Sequence, residues 1–338
     1  MENMSSINSR EIGTLGIFHI KRLWAMHVKG LRCDHENEGV ISQFVVDGLE
    51  LDTREVISFL NETKPTFSDF EAWILNKHER NIPSVIKEKV NRAVSSFLEV
   101  GPRVYPQSLE IEDPVFSKED MEFWEKNGYI VLRNAIPLED CRKAVNIMWD
   151  FLEMNPDEPD NWHERSEFFW IRNYQHAIFR KNRESLKIHK AFAQIWGTEA
   201  LFPAVHSLSF NPPAKDGISQ YGPSYLHWDA SIAMPMPLDV IGLLYLNDVD
   251  ENQGAFQCVP GFHHKMESWL ASLPEDVDPR MEIRKSSEAV NISGKAGDLI
   301  ISRQELPHGS SLNRGNSPRF VQYILKHPPD RGINPVWK

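Results

Sequence analysis

From about residue 201 the chain is cut into short apolar segments separated by Pro, Gly and Asn/Asp turns, and this punctuation limits the possible folds more than any other feature. Val240–Leu246, Ala255–Val259, Ala289–Ile292, Asp298–Ser302 and Arg319–Leu325 are long enough for strands and too short for free-standing helices. Many short strands with turn residues between them predict a sandwich, a jelly roll or a barrel.

The chain before that point reads as helical. Asp52-Thr53-Arg54-Glu55 can start a helix carrying Val56, Ile57, Phe59 and Leu60. Ser68-Asp69-Phe70-Glu71 matches a capping box, and Ser84 to Leu98 places its apolar residues near a 3.6 period. These patterns predict a mostly helical N-terminal module over residues 1–100. Residues 101–114, with Gly101, Pro102, Pro106 and Pro114, read as a linker. Residues 115–338 are expected to form one further domain. It starts with a helix from Ser117 to Asn127-Gly128, a strand at Tyr129–Leu132 and helices over Leu138–Leu152 and Glu184–Trp196.

Composition removes several classes of function. A net charge of −11 over 338 residues gives no basic footprint for nucleic acid. The cysteines, Cys33, Cys141 and Cys258, are three in number and never form a CxxC pair, which argues against a disulfide framework or zinc thiolates. The longest apolar run, Val240–Leu246, has seven residues, well short of the roughly 20 that a membrane span needs. The N-terminus is polar and has no signal pattern. A cytoplasmic protein with no membrane association is expected.

Against this background the stretch Tyr225-Leu226-His227-Trp228-Asp229 stands out. On a strand, His227 and Asp229 would share a face, roughly 6–7 Å apart along the chain, with Trp228 on the other side. Two histidines and one carboxylate on one face of iron(II) leave positions open for a cosubstrate and O2. The best candidate for the third ligand is His308 in Leu306-Pro307-His308-Gly309-Ser310, after the apolar segment Leu299–Ser302. Arg319 follows at a strand start, where a guanidinium aimed into a pocket suits a bidentate grip on a carboxylate.

Each of these residues has a plainer reading. His227 and Asp229 alone would be a surface polar pair, and Arg319 alone a surface ion pair; their order along the chain favours a site. Cys33-Asp34-His35-Glu36 lacks partners at zinc spacing and reads as a solvated turn. His263 and His264 fit packing or rim contacts, and His206 a packed or pocket-lining position. Trp162, Phe168, Phe169, Trp170 and Tyr174 suit core packing; the alternative is a substrate-facing lid together with Arg172 and Gln175. Gln220, Tyr221 and Tyr225 lead into the His227 segment and are candidates for substrate contact.

The order His227-x-Asp229, His308, Arg319 resembles the phytanoyl-CoA dioxygenase family of iron(II)/2-oxoglutarate oxygenases. Trp124-Glu125-Lys126-Asn127-Gly128-Tyr129-Ile130-Val131-Leu132 resembles the opening helix and strand of that family. The segment Leu246-Asn247-Asp248-Val249-Asp250-Glu251-Asn252-Gln253-Gly254-Ala255-Phe256, with Val259-Pro260-Gly261-Phe262-His263, resembles the part that follows the first ligands. Phe262 stands there in place of the family's usual Ser. His308-Gly309-Ser310 with Asn313-Arg314 resembles the loop of the distal histidine. The likeness covers about residues 115–338.

The resemblance implies a mainly β catalytic core with helices, a double-stranded β-helix or cupin-like jelly roll, preceded here by the helical module. It implies iron held by His227, Asp229 and His308, and 2-oxoglutarate held by Arg319 with help from Ser310. Asp229 favours oxygenation over halogenation, because family halogenases carry a small residue there. The implied reaction couples decarboxylation of 2-oxoglutarate to succinate with oxidation by O2 of a small molecule or biosynthetic intermediate, free or carrier-bound, with C–H hydroxylation the expected outcome. Candidate substrate residues are Tyr221, Tyr225, Trp170, Arg172 and Gln175. The alternative is a non-catalytic protein that senses 2-oxoglutarate or metal and acts through the helical module. A cupin-like metalloenzyme that ignores 2-oxoglutarate is a third reading.

Overall fold

A computed structural model describes residues 7–32, 38–101, 113–163, 170–171, 175–215, 225–286, 288–329, 331, 332, 334 and 336–338. The chain divides into two units. The first takes in Met1–Pro106, Ala200–Val205 and Lys326–Pro335; the second takes in Gln107–Glu199, His206–Leu325 and Val336–Lys338. The expected linker at 101–114 lies largely outside the described residues.

The first unit is built on helices Ile20–Lys29, Glu38–Gly48, Thr53–Ser58, Phe67–Lys77 and Ser84–Val100. Asp52 caps the third of these by accepting from the Glu55 amide at 2.7 Å. The fourth is capped by Thr66 rather than Ser68. Asp69 is the third residue of that helix, so the hydroxyl that reaches its amide must come from position 66, which completes the capping box. The apolar faces meet in one cluster containing Phe44, Phe70, Val90, Val94, Phe97 and Phe202. Buried polar side chains of this unit find partners: Arg22 pairs with Glu38, and His327 Nε2 lies 2.8 Å from Asp47 Oδ2. No helix among the described residues is long and apolar enough to cross a membrane.

The strands in chain order are β1 Tyr129–Leu132, β2 Trp170–Ile171, β3 Phe202–Ala204, β4 Leu208–Asn211, β5 Val240–Tyr245, β6 Phe256–Cys258, β7 Val290–Ile292, β8 Leu299–Arg303, β9 His308–Ser310 and β10 Arg319–His327. Within the second unit, one antiparallel sheet runs β1-β8-β5-β10-β4-β2 and a smaller one runs β7-β6-β9. Ser117 caps helix Lys118–Asn127, and Gly128, at φ 77°, ends it so that β1 can begin. Helices Leu138–Leu152 and Leu186–Trp196 follow the expected pattern.

Both sheets contribute to one apolar cluster: Ile241, Leu243 and Tyr245 from β5, Ile300 from β8 and Val321 from β10 meet Phe256 and Cys258 from β6 and Ile292 from β7. One polar tie crosses that cluster. The buried Tyr245 hydroxyl donates to the Ile292 carbonyl at 2.8 Å and accepts from the Phe256 amide at 2.9 Å. Burial pushes its phenol up to about 12, so the proton stays on.

Tyr245→Phe leaves a buried carbonyl and a buried amide without that partner. Stability should fall by about 1–3 kcal/mol, read as an earlier urea-unfolding transition of this unit.

Candidate metal and cosubstrate site

The site begins with a backbone pairing. The His227 amide donates to the His308 carbonyl at 2.9 Å, and the His308 amide donates to the His227 carbonyl at 3.0 Å. Directly opposed residues of an antiparallel pair project to the same face. The two imidazoles therefore lie side by side, with ring centroids 5.0 Å apart. His308 sits on β9 rather than in a loop, and that strand pairs with β6 through Cys258. Gly309 permits the close approach, since a Cβ there would lie 2.6 Å from the Tyr225 carbonyl oxygen.

Each imidazole is oriented by a carbonyl two residues upstream. His227 Nδ1 donates to the Tyr225 oxygen at 3.2 Å, and His308 Nδ1 donates to the Leu306 oxygen at 2.9 Å. With the proton on Nδ1, each Nε2 presents a lone pair. Asp229 Oδ1 lies 3.5 Å from His227 Nε2, and Oδ2 lies 3.1 Å from His308 Nε2. The ligand atoms of the three residues all fall within 4.8 Å of one another, a set that can hold a metal ion. Three electron-pair donors facing one point repel unless a cation or protons lie between them. Two imidazole nitrogens and one carboxylate oxygen fit iron(II) with open positions.

When protons rather than a cation lie between these groups, burial disfavours the charge of Asp229, yet hydrogen bonds from the protonated imidazoles and attraction to them hold its pKa far below the ordinary carboxylate range. Burial also disfavours a proton on His227, but the Asp229 carboxylate outweighs it and raises that pKa.

The segment carrying these ligands is braced from behind. Trp228 points away from them, as alternation predicts, with its indole donating to the Glu305 carbonyl at 2.9 Å and its ring packed on Phe262 and Trp269. Arg280 donates to the Trp228 carbonyl at 2.8 Å and to the Ala230 carbonyl at 2.9 Å. It also donates to the Lys338 carbonyl at 2.8 Å, while Ser231 donates to the Val336 carbonyl at 2.6 Å. The sequence reading missed Arg280, whose role depends on a fold-brought contact with no local signal.

Arg319 opens β10 and is fully buried. It donates to the Gly254 carbonyl at 2.6 Å and lies 3.4 Å from the Ser209 hydroxyl, while its Nε has no partner. Among the described residues no carboxylate pairs with it. A buried guanidinium with an orphaned donor fits the carboxylate of a bound ligand. Val321 and Tyr323 follow it on the same face of β10. Burial raises the Tyr323 phenol pKa, opposed by Arg319, with further hydrogen bonds from Arg319 and Ser209. The Asp229 charge adds to the rise; the two-residue period from Arg319 would have singled Tyr323 out.

The other candidates divide. Ser310 shares the His308 face of β9. The Tyr225 ring stands edge-on to His227, with centroids 6.1 Å apart. Trp170 has its backbone opposite Ser209, and its side chain lies outside the described residues. Gln175 lies just ahead of helix Ala177–Arg183. Arg172, Tyr221, Gln220, Phe168, Phe169, Tyr174 and Cys33–Glu36 lie outside the described residues. Trp162 packs on Trp149, in the core. The His206 ring is tilted against Tyr323, with centroids 5.4 Å apart, and His263 and His264 both donate to the Glu125 carbonyl. Cys141 and Cys258 are buried free thiols whose pKa values burial raises to about 11 and about 12.

The family model described as phytanoyl-CoA dioxygenase (PhyH) matches residues 124–321. A phytanoyl-CoA dioxygenase homologue of Dictyostelium discoideum is 23% identical over 259 residues, covering 61% of this chain and 74% of that protein. The ectoine dioxygenase of Bordetella bronchiseptica is 23% identical over 282 residues, covering 73% of this chain and 88% of the relative. Among solved structures, EctD from S. alaskensis in its apoform is similar at a TM-score of 0.48 and 16% identity, covering 69% of this chain and 85% of that one. The chain belongs to the phytanoyl-CoA dioxygenase family. It is an iron(II)- and 2-oxoglutarate-dependent dioxygenase.

Arg280→Ala removes the hold on both carbonyls that flank Asp229. Metal affinity should fall about 10- to 100-fold, the usual cost of losing a supporting partner of a ligand set, as measured by cobalt(II) titration of the folded variant.

Proposed function

We propose that the enzyme couples decarboxylation of 2-oxoglutarate with hydroxylation of a C–H bond in a small-molecule substrate. In this reading His227, Asp229 and His308 hold iron, and Arg319, with Ser310 beside the distal histidine, holds the far carboxylate of 2-oxoglutarate. The convergence of two lone-pair-bearing Nε2 atoms on one carboxylate carries the proposal, because that donor set has no use without a cation.

Bound iron with 2-oxoglutarate and O2 supplies the oxidising equivalent. The chain does the rest. The Tyr225 and Leu306 carbonyls keep both Nδ1 protons in place, so neither imidazole turns its protonated nitrogen toward the metal. Arg319 supplies a charge-assisted grip from a dry position, and the Gly254 carbonyl anchors the guanidinium there. The buried Phe256 ring packs 5.9 Å from the His308 ring and, with Tyr245 in the same apolar cluster, keeps that side dry. The substrate side is left to Tyr225, and hydroxylation is the simplest outcome of holding a C–H bond there.

The test is anaerobic reconstitution with iron(II) and 2-oxoglutarate, read by the weak visible charge-transfer band of the chelate. The wild-type protein should show the band and Asp229→Ala should lose it. Arg319→Ala should require at least about ten-fold more 2-oxoglutarate to reach the same band, the scale of one lost charge-assisted hydrogen bond. An Arg319→Ala protein with unchanged 2-oxoglutarate dependence and unchanged turnover would favour the metalloenzyme that ignores 2-oxoglutarate.

A further inference from the structure

A second arginine stands beside the ligands, and the iron and 2-oxoglutarate chemistry does not use it. The helical segment Pro279–Glu282 continues through Ile283–Lys285 and carries Arg280 and Arg284 one turn apart. Ile283 between them is buried in the cluster of the two sheets, which fixes the segment. Arg280 directs its donors to backbone carbonyls. Arg284 is exposed and lies over the Tyr225 ring, its guanidinium carbon 3.7 Å from the centroid. Contact of this kind leaves the N–H edge free to bond.

The acids on its own segment are engaged elsewhere. Glu282 pairs with Lys285 at 2.5 Å, and Glu288 pairs with Lys265 at 2.6 Å. Among the described residues no hydrogen bond or ion pair engages the Arg284 guanidinium. The same Tyr225 ring meets the His227 ring edge-on, with centroids 6.1 Å apart.

The charges of the assembled site make the excess plain. The two positive charges of iron(II) and the one of Arg319 match the single negative charge of Asp229 and the two of 2-oxoglutarate. Arg284 adds a cation outside this balanced set, on the Tyr225 side of it. An anion on the substrate would balance it.

We propose that Arg284, held on Tyr225, recognises an oxyanion of the substrate, a carboxylate or a phosphate ester, and so sets where the substrate lies relative to the metal. The inference rests on the iron and 2-oxoglutarate assignment above. The substrate class is then a small acid, with the anion on the Tyr225 side of the site and an aliphatic portion toward the ligands.

The experiment titrates the anaerobic iron(II)/2-oxoglutarate protein with hexanoate, hexyl phosphate and the neutral hexanamide at constant ionic strength, following shifts of the charge-transfer band. In the wild type, one or both anions should shift the band at a concentration at least about ten-fold below that of hexanamide, as expected for one charge-assisted contact. Arg284→Gln should abolish that preference, and Arg284→Lys should restore part of it. The more effective of hexanoate and hexyl phosphate identifies the anion. Equal response to acid and amide, no response to either anion, or a preference unchanged in Arg284→Gln would each overturn the proposal. Absence of the band in the wild-type protein would instead be a failure of the iron and 2-oxoglutarate assignment. Dependence of the band on 2-oxoglutarate, measured in Arg284→Gln before any probe is added, reports whether the site still assembles.

Discussion

The site depends on one pair of backbone hydrogen bonds, those exchanged between His227 and His308. A mutual pair fixes the register of two segments that lie far apart in the chain, and a slip of one residue would turn one imidazole to the opposite face. Backbone groups make this pairing, so it depends on side-chain identity only where a side chain would obstruct it. Gly309 marks that place. The tautomer of each histidine is also set by main-chain carbonyls, those of Tyr225 and Leu306, and Arg280 grips main-chain carbonyls on either side of Asp229. The ligand geometry is thus carried by atoms common to every residue.

The electrostatics of the site have the opposite character. Three electron-pair donors converge at one point, and a fully buried guanidinium lacks a carboxylate partner among the described residues. Each arrangement costs folding free energy, because buried charge and unpaired donors are penalised. Sites that store this kind of mismatch gain affinity when the missing charge arrives, since the desolvation and ordering have been met in advance. The rest of the second unit offsets that cost with a dry cluster between its sheets and with the Tyr245 tie across it.

The strand and helix plan of the second unit was legible because each element carries a local signal. Ser117 and Gly128 bound a helix, and β5, β8 and β10 are apolar runs between turns. The ligands were legible through spacing and order, and Trp228 through simple alternation. The cap at Thr66 was misplaced by two residues because two overlapping patterns compete there, and only the position of the third helical residue decides between hydroxyls. Ser209 and Arg280 were missed for a different reason. Their importance comes from what the fold brings near them, and no short window of sequence contains both partners.

The segment of residues 278–285 joins the two characters of the site. Asp278 caps it by accepting from the Arg280 amide at 2.8 Å, and Ile283 seats it in the apolar cluster. From that one anchored turn, Arg280 reaches the backbone around Asp229 and Arg284 reaches the ring beside His227. A cation on a free loop would sample many positions relative to the metal. A cation on this turn is placed by the same bonds that place the ligands, so movement that displaced one would displace the other. Selective oxidation of one C–H bond needs that kind of fixed distance between the group that recognises the substrate and the centre that oxidises it. Contact with the Tyr225 ring narrows the freedom of the long side chain, which is what the proposed anchoring role of an exposed arginine requires.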